Sequence, residues 1–327
     1  MSEAIYRIRL HLHGPVHWWS RPASYQQKDQ HLPSDGLKNA LLVTYLQLYG
    51  AQDPAAFMDR YRLSSAFPWQ GEHCFLPAPL GARLFDAGTG NEKKARKVRW
   101  LSEECWRKVM QGEKLRFDDG LLSDNFYGMD PSNEKPGPRR WMQEKVNTQK
   151  VYEEGNPLPY LLERKDYGAN GGLYFLVSCD EEALKELQKA LRLLGDEGLG
   201  SYRNLGNGQF TASAPERWEP PQVAAAERAL CLGLYIPPTG PETAALLQGG
   251  YYQLRRRGGH YCANPADKSL LGKINGAVYM LEEGSHLPAT AAGRLPPGQR
   301  VDLSPRGAKH PVWRDGHILS IPYHLSV

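Results

Sequence analysis

The residues best suited to chemistry lie between positions 195 and 208, where five glycines occur within fourteen residues. Glycine adopts positive φ at no steric cost and leaves backbone N–H groups uncovered, and close approach to a phosphate needs both. Arg203, in the middle of this stretch, adds a guanidinium that fits phosphate oxygens. The composition favours a loop that binds a phosphate backbone. The alternative is a tight helix-to-strand connection with Gly195 as helix cap, for which one or two glycines would suffice.

The position of these glycines argues against a nucleotide-binding motif. In dinucleotide-binding and P-loop motifs the glycines follow a strand and open a helix. Here they follow a predicted helix and precede a predicted strand that begins at Phe210. We therefore expect no nucleotide cofactor.

Two basic clusters with interleaved aromatic residues lie in a polar region between residues 85 and 162. Cations for phosphates and aromatic faces for bases are typical of proteins that bind single-stranded RNA. A solvated charged surface explains the first cluster equally well. The first cluster comprises Lys93, Lys94, Arg96, Lys97 and Arg99, and the second Arg139, Arg140, Lys145 and Lys150, with Trp100, Trp141 and Tyr152 between them. A further triplet, 255–257, is more typical of a protein contact or a solvent-exposed turn.

Catalytic and metal-binding patterns are weak. Four histidines near the N-terminus are suited to general acid or base catalysis, but a histidine on an alternating strand is more often a half-buried packing residue. Pairs of possible ligands lack a third and fourth partner at familiar spacing, so we expect no metal. The histidines are His11, His13, His17 and His31, and the pairs are His11 with His13, His73 with Cys74, and His260 with Cys262.

The elements around the glycines follow the order strand, helix, strand, strand, helix, strand. This order is that of a ferredoxin-like βαββαβ domain, whose four-stranded sheet can face RNA. Ser34 or Asp35 is expected to cap the first helix and Gly50 to end it. In chain order the predicted elements are Ile5–Leu12, Gly36–Tyr49, Cys74–Leu80, Gly172–Ser178, Glu181–Leu194 and Phe210–Ser213.

Prolines at 215, 220 and 221 indicate a linker to a second unit. Its predicted strands are Leu230–Ile236, Tyr251–Arg256, Ala277–Leu281 and Ile318–Pro322, and its helix is Glu242–Gln248. We predict an α+β protein with two ferredoxin-like (RRM-like) domains and a thumb-like insertion in the first. The first domain spans residues 1–216, with the insertion at about 85–162 and the glycine-rich loop at 195–208, and the degenerate second domain spans 217–327.

Composition limits the function classes further. A net charge of +4 over 327 residues is too small to indicate nucleic acid by itself. The five cysteines are scattered without a CxxC pair, which is typical of a reducing compartment. Because neither a signal peptide nor a membrane span is recognisable, we expect a cytoplasmic protein that does not contact a membrane.

Three motifs make the chain resemble the RAMP proteins of CRISPR effectors. They are H-L-P-S-D-G-L-K-N-A-L-L at residues 31–42, C-F-L-P-A-P-L at 74–80, and a helix followed by G-x-G-x-x-R-x-x-G-x-G-x-F at 198–210. Within this superfamily the similarity is closest to the fourth Csm-type subunits of type III-A complexes, which cap the 5′ end of the guide RNA (crRNA). The resemblance covers most of the first domain and, loosely, the terminal strands of the second.

This resemblance implies a role in antiviral defence without catalysis. The glycine-rich loop and the start of the first helix would hold the crRNA 5′ tag, and the thumb would separate the tag from the guide. Expected partners are crRNA, the large polymerase-like Cas subunit, a backbone RAMP subunit and, indirectly, target RNA. The expected RNA-binding residues are Lys38, Asn39, Arg139, Arg140, Lys145, Asn147, Lys150, Gly198, Gly200, Ser201, Tyr202, Arg203, Asn204, Gly206, Asn207 and Gly208.

Two other functions stay open on the sequence. RAMP relatives that process guide RNA are metal-independent endoribonucleases, and the histidines would allow such an activity. A protein-interaction scaffold with an incidental glycine loop is the other. Retention of RNA without cleavage would separate the capping subunit from both.

Overall fold

The computed structural model describes residues 3–18, 30–50, 53–87, 92–132, 134–151, 157–223, 226–261, 273–306, 308 and 310–324, with the backbone alone at 147–151 and 157–158. The helices are α1 (Ser34–Tyr49), α2 (Pro54–Asp59), α3 (Glu92–Ala95), α4 (Glu103–Met110), α5 (Glu181–Glu197) and α6 (Glu242–Gln248). The strands of the first domain are β1 (Ala4–Leu12), β2 (Tyr61–Leu63), β3 (Phe67–Gln70), β4 (His73–Pro77), β5 (Trp100–Ser102), β6 (Leu122–Ser123), β7 (Phe126–Tyr127), β8 (Arg139–Val151), β9 (Pro157–Asp166), β10 (Gly171–Cys179), β11 (Phe210–Ala212) and β12 (Glu216–Arg217). Those of the second are β13 (Arg228–Cys231), β14 (Leu254–His260), β15 (Ile274–Leu281), β16 (His286–Pro288), β17 (Arg300–Asp302), β18 (Trp313–Asp315) and β19 (Ser320–Tyr323).

The first domain is built on four antiparallel strands in the order β11, β1, β10, β3. With α1 and α5 this is the βαββαβ arrangement, so the predicted α+β class is confirmed. The second strand of the arrangement is β3 rather than the predicted Cys74–Leu80. The latter segment forms β4, which pairs with β3 and continues the sheet outwards.

The burial of each strand follows from what covers it. In β1, Ile8 and Leu10 are buried in a core that they share with α1 and α5, while intervening residues face the other side of the sheet. In β10 every residue is buried, because the helices cover one face and a second hydrophobic core covers the other. This explains why G-G-L-Y-F-L-V-S-C reads as an unbroken apolar run.

The start of α1 differs from the prediction. Pro33 is the N-cap and makes no side-chain cap, because both predicted caps lie inside the helix and bind elsewhere. The Ser34 hydroxyl accepts a hydrogen bond from the Leu234 amide at 2.9 Å, and Asp35 pairs with arginines of the second domain. Gly50 ends the helix as predicted, with φ 76° and its amide bonded to the Leu46 carbonyl.

The inserted region consists of two parts. Strands β5 to β7 extend the main sheet, and helix α4 packs beside them. Trp100, Leu101 and Trp106 of this part are buried in the second hydrophobic core. The second part is the long antiparallel hairpin of β8 and β9, which we call the thumb. The thumb is a separate two-stranded sheet, whereas the first part belongs to the main sheet.

The second domain has a three-stranded sheet in the order β16, β13, β19 and two hairpins, β14–β15 and β17–β18. The sheet is joined to the first domain through backbone hydrogen bonds, from Ser65 to Leu232 at 2.7 Å and from Leu319 to Leu63 at 2.9 Å. Within residues 226–324 as described, α6 is the single helix. That this domain is a degenerate ferredoxin-like copy remains a prediction, as do the domain boundaries.

Candidate nucleic-acid interface

The glycine-rich loop, residues 198–208, is folded tightly on itself. Its two arms are joined by a hydrogen bond from the Leu199 amide to the Gly208 carbonyl at 2.9 Å. A Cβ atom at Gly208 would lie 1.9 Å from the Leu199 carbonyl oxygen, and one at Gly198 would lie 2.4 Å from that of Asn207. Both glycines also have positive φ. They are therefore required because the two arms approach too closely for any side chain.

The loop also packs against the segment that follows β1. The Ser201 amide donates to the His17 carbonyl at 2.7 Å, and a Cβ atom at Gly200 would lie 2.5 Å from the same oxygen. The ring of Tyr202, a non-glycine residue with φ 59°, meets the His17 ring edge-on at 5.7 Å. These contacts fix the first half of the loop in one position.

The second half of the loop is what the protein presents to solvent. Arg203, Asn204, Leu205 and Gly206 are exposed, and the first three form a 3₁₀ turn. The Arg203 guanidinium is half-exposed and lies 3.4 Å from the Glu197 carboxylate, a solvent-screened pair that holds the side chain weakly. A Cβ atom at Gly206 would meet nothing within 4 Å. The tip thus combines an exposed turn, in which the Leu205 and Gly206 amides are bonded to the Tyr202 and Arg203 carbonyls, with a cation available to an anion.

Three of the loop residues predicted to bind RNA are buried. They are Gly198, Asn207 and Gly208, and the Asn207 side chain is almost completely enclosed. Burial argues against direct contact of the Asn207 side chain with RNA, and that contact stays a prediction. These residues shape the loop, whereas Gly200, Arg203, Asn204 and Gly206 are exposed and Ser201 and Tyr202 half-buried.

The thumb contacts the loop through its second strand, β9. A hydrogen bond between the hydroxyls of Tyr160 and Tyr202, together with burial, raises the pKa of Tyr202. The His17 ring nitrogen Nδ1 lies 2.8 Å from the Glu163 carbonyl oxygen. Since Lys145 is opposite Tyr160 in the β8–β9 register, it shares the face of the thumb that contacts the loop. Neither Tyr160 nor His17 was predicted to support the loop, because they are far from it in sequence and carry no motif.

The remaining thumb residues differ in accessibility. Arg139 is exposed, whereas Arg140 is half-buried and lies 3.8 Å from the Glu163 carboxylate on the opposite face from Lys145. Asn147 and Lys150 lie in β8, and their side chains are outside the described part of the structure. The predicted thumb cations therefore do not form one cluster.

The start of α1 contacts the second domain. The Lys38 ammonium is buried and lies 3.2 Å from an Asp315 carboxylate oxygen. Burial outweighs that attraction and lowers the pKa of Lys38 to about 8. Burial of the Lys38 ammonium in this pair argues against direct contact with RNA, and the role of Lys38 in RNA binding stays a prediction. Asn39 is half-buried and donates to the Trp313 carbonyl at 3.5 Å.

The two other basic motifs, at 93–99 and 255–257, lie on the solvent-exposed surface and at the domain interface. All five cations of the cluster at 93–99 are exposed, as a solvated face requires. In the triplet at 255–257, Arg255 pairs with Glu282 and Arg257 with Asp35. The triplet is therefore mainly a contact within the protein, with Arg256 exposed.

Two of the N-terminal histidines pack against other side chains of the protein. His31 is buried and lies 3.3 Å from the Glu283 carboxylate, and His11 packs edge-on against Trp69. Within the described ranges, no group of three histidine, cysteine or acidic side chains is arranged to hold a metal ion. Among the helices that the structure describes, none is both long and apolar enough to cross a membrane.

Comparison with solved structures identifies the class of fold. One chain of the crystal structure of the Csm3-Csm4 subcomplex in the type III-A CRISPR-Cas interference complex aligns with a TM-score of 0.65 at 17% identity, covering 98% of this chain and 99% of that one. A chain of the Csm1-Csm4 cassette in complex with cA4 aligns with a TM-score of 0.62 at 19% identity, over 99% and 98%. The chain therefore shares its fold with those two chains.

Sequence comparisons name the particular relatives. Residues 224–323 match the family model of the CRISPR Csm4 C-terminal domain. The CRISPR system protein Csm4 of Mycobacterium tuberculosis (strain CDC 1551 / Oshkosh) is 25% identical over 286 residues, which is 86% of each chain. Csm4 of Thermococcus onnurineus is 27% identical over 205 residues, covering 62% of this chain and 67% of that protein. The expected resemblance is confirmed: the chain is similar to Csm4 proteins of CRISPR systems.

Proposed function

We propose that this Csm4-like chain is a non-catalytic, crRNA-binding subunit of a type III CRISPR-Cas effector complex in antiviral defence. The observation that carries the proposal is the exposed turn at residues 203–206, held beside the thumb by a loop that is otherwise internally bonded. An exposed backbone and a half-exposed guanidinium suit a phosphodiester chain of any sequence. We propose that the turn holds the 5′ tag and that the thumb separates the tag from the guide.

The thumb supplies the second side of the proposed RNA path. Lys145 shares the face of Tyr160, whose hydroxyl is bonded to the loop. An RNA backbone held at Arg203 would run close to this face, where a cation favours phosphate. Exposed Trp141 lies on the same face and offers a ring on which a base can stack.

Support for a bridging role comes from relatives and from exposed apolar side chains. The similar structures are of Csm1-Csm4 and Csm3-Csm4 assemblies. In this chain, large hydrophobic side chains are exposed on and beside the hairpin β14–β15: Tyr251, Tyr252, Leu254, Ile274 and Tyr279. Such a concentration is typical of a surface that a partner covers. We propose that the chain joins the large polymerase-like subunit to a backbone RAMP subunit and meets target RNA only through the guide.

The absence of catalysis is part of the proposal. The His17 ring is held by the backbone carbonyl of Glu163, and the buried His31 ring lies against the Glu283 carboxylate, so both rings have structural partners. We expect the purified chain to leave a repeat-derived RNA intact after incubation without metal. Cleavage that is lost on replacing one histidine would instead establish the guide-processing endoribonuclease.

Replacement of Arg203 by alanine tests the loop. A charge-assisted contact is worth about 1–3 kcal/mol, so affinity for a tag RNA should fall about 5- to 150-fold. Arg192→Ala, which removes an exposed arginine of α5, is the matched control and should bind like the wild type. Glu197→Gln should strengthen binding, because it removes the carboxylate beside Arg203. Equal affinities for Arg203→Ala and Arg192→Ala would exclude Arg203 as a phosphate ligand.

Recovery of RNA from cells tests the identity of the ligand. The tagged chain should co-purify with short RNAs that share one fixed 5′ sequence, together with other Cas subunits. Heterogeneous RNA, or none, would favour a protein-interaction scaffold. The Arg203→Ala variant should recover less RNA but the same protein partners, since the loop and the hairpin β14–β15 are separate surfaces.

A further inference from the structure

One end of the first-domain sheet is open on the face away from α1 and α5. Arg9 and His11 alternate on β1 with the buried Ile8 and Leu10, so they face this side. Thr211 is directly opposite His11 in β11, and both are exposed. Further along the sheet the same face is closed by the second hydrophobic core. The open end is therefore a small polar surface beside a closed one.

Trp69 fixes the geometry of this surface. Its indole lies over Gly172, where a Cβ atom would approach the indole nitrogen to 2.8 Å, and that nitrogen donates to the Leu173 carbonyl at 3.1 Å. The His11 ring meets the indole edge-on with centroids 5.0 Å apart, and the Arg9 guanidinium lies 5.2 Å from the ring centroid. Trp69 is only 4% exposed, so it is a support for the two side chains and not a stacking platform.

The charges on this surface are not balanced. The carboxylate nearest to Arg9 is that of Glu72, at 3.9 Å and with its side chain 95% exposed, which is a weak, screened pair. Arg9 Nε is buried and has no hydrogen-bond partner among the described residues. Burial, followed by the charges of Arg9 and His13, lowers the pKa of His11. A cation with a buried donor that no described residue satisfies favours an added acceptor such as a phosphate oxygen.

His13 extends the surface towards the glycine-rich loop. Its ring nitrogen Nε2 lies 2.7 Å from the Thr211 hydroxyl, which holds the ring on the same side as His11. Its backbone amide donates to the Gln209 carbonyl at 2.9 Å, immediately after the last residue of the loop. An RNA strand that leaves the loop across the edge strand β11 therefore arrives at this surface.

We propose that Arg9, His11 and His13 form a second phosphate site, which binds a phosphodiester of the single-stranded RNA next to the nucleotides held by the glycine-rich loop. The proposal rests on the proposed function, because the strand is the one that the loop holds. The three side chains supply nitrogen donors without a base-specific pocket, so the site recognises the backbone and not the sequence. It would extend the RNA footprint from the helix side of the domain to the open face of the sheet.

The test measures the affinity of the full-length protein and of three variants for a fluorescent single-stranded RNA that carries the 5′ tag. The double variant His11→Gln/His13→Gln changes exposed residues only, and Arg9→Gln removes the fixed cation. His310→Gln, at an exposed histidine of the second domain, is the control. Unfolding midpoints identify any variant that fails to fold, in which case the double variant carries the test.

Each site variant should weaken binding about 5- to 30-fold. In Arg9→Gln, which removes the fixed cation, the slope of log affinity against log salt should also shrink by about 0.7 for each phosphate no longer neutralised. Wild-type affinity and slope in both variants would overturn the site, while a persisting effect of Arg203→Ala would leave the proposed loop function standing. The reverse result, loss in the site variants with none in Arg203→Ala, would exclude Arg203 as a phosphate ligand and support the site. Inorganic phosphate that shifts the histidine NMR signals of the protein without any RNA effect would show a free-anion site and overturn the proposal.

Discussion

Replacing Asp35 with asparagine tests what holds the two domains together. The Asp35 carboxylate, in the first turn of α1, is fully buried. Arg257 donates to it from Nε and Nη2 at 3.0 Å each, and Arg314 donates from Nη1. Asparagine keeps the size of the side chain but cannot neutralise two guanidiniums. The substitution therefore leaves two positive charges close together at the domain interface.

The expected loss of stability in Asp35→Asn follows from the pKa of Asp35 and from the cost of an unpaired buried charge. Burial by itself would raise the pKa of Asp35, but the two arginines hold it at about 2, below the ordinary 3.8. That difference corresponds to about 2.5 kcal/mol of stability at neutral pH. Breaking a buried pair from one side costs about 3–5 kcal/mol. We expect Asp35→Asn to lower the free energy of unfolding by about 2.5–5 kcal/mol.

Urea unfolding followed by tryptophan fluorescence measures this loss. Asp86→Asn, at an exposed aspartate, is the control and should change the free energy by less than about 0.5 kcal/mol. Because the folded-state pKa of Asp35 is depressed, its contribution is complete above pH 3.8 and is lost as the pH falls towards 2. If Asp35→Asn unfolds like Asp86→Asn at pH 7, the two arginines do not depend on this carboxylate and the reasoning is refuted.

Two further predictions concern the loop and the response to acid. Gly208→Ala should lower both the free energy of unfolding and the RNA affinity by more than Gly206→Ala does. A Cβ atom at 208 collides with a carbonyl oxygen, whereas at 206 it meets nothing and only the positive φ costs about 1–2 kcal/mol. Equal losses for the two variants in denaturation and anisotropy assays would contradict this. His286 is buried, and burial with the charge of Arg228 lowers its pKa from 6.5 to about 4 against a hydrogen bond to a carbonyl. Because the folded state then binds fewer protons, stability should fall by about 3 kcal/mol between pH 6.5 and 4. Denaturation curves of His286→Gln should show a smaller fall, and an unchanged pH profile would exclude His286 as the cause.

Periodicity in the sequence predicted most of the first domain but not its second sheet strand. Alternation in β1 and the apolar stripe of α5 were sufficient to predict these two elements, because each element buries one side and leaves the other more exposed. In F-P-W-Q all four residues are buried, so there is no alternation, and proline argues against a central strand. Pro68 is tolerated in β3, whose Trp69 then supports the open surface of the sheet.

The candidate site was predictable in position but not in the role of each residue. Five glycines and an arginine identified the loop, yet nothing in the sequence separates Gly208, which allows the arms to meet, from Gly206, which is open. The buried pairing of Lys38 was not predicted, because its partner, Asp315, lies 277 residues away. A lysine in the first turn of a helix carries the same signal whether it faces solvent or a buried carboxylate.

The internal bonds of the loop bear on how it can bind RNA. Amides of Leu199 and Ser201 are already paired within the protein, so they cannot also donate to phosphate, and the simple interpretation of the glycines as a row of free donors does not hold. What the pairing provides is rigidity: the turn at 203–206 is presented in a fixed position by contacts on both sides. A binder that is already ordered loses less conformational entropy on association. The contribution of the glycines to affinity is therefore indirect, and it is expressed through the position of Arg203 relative to the thumb.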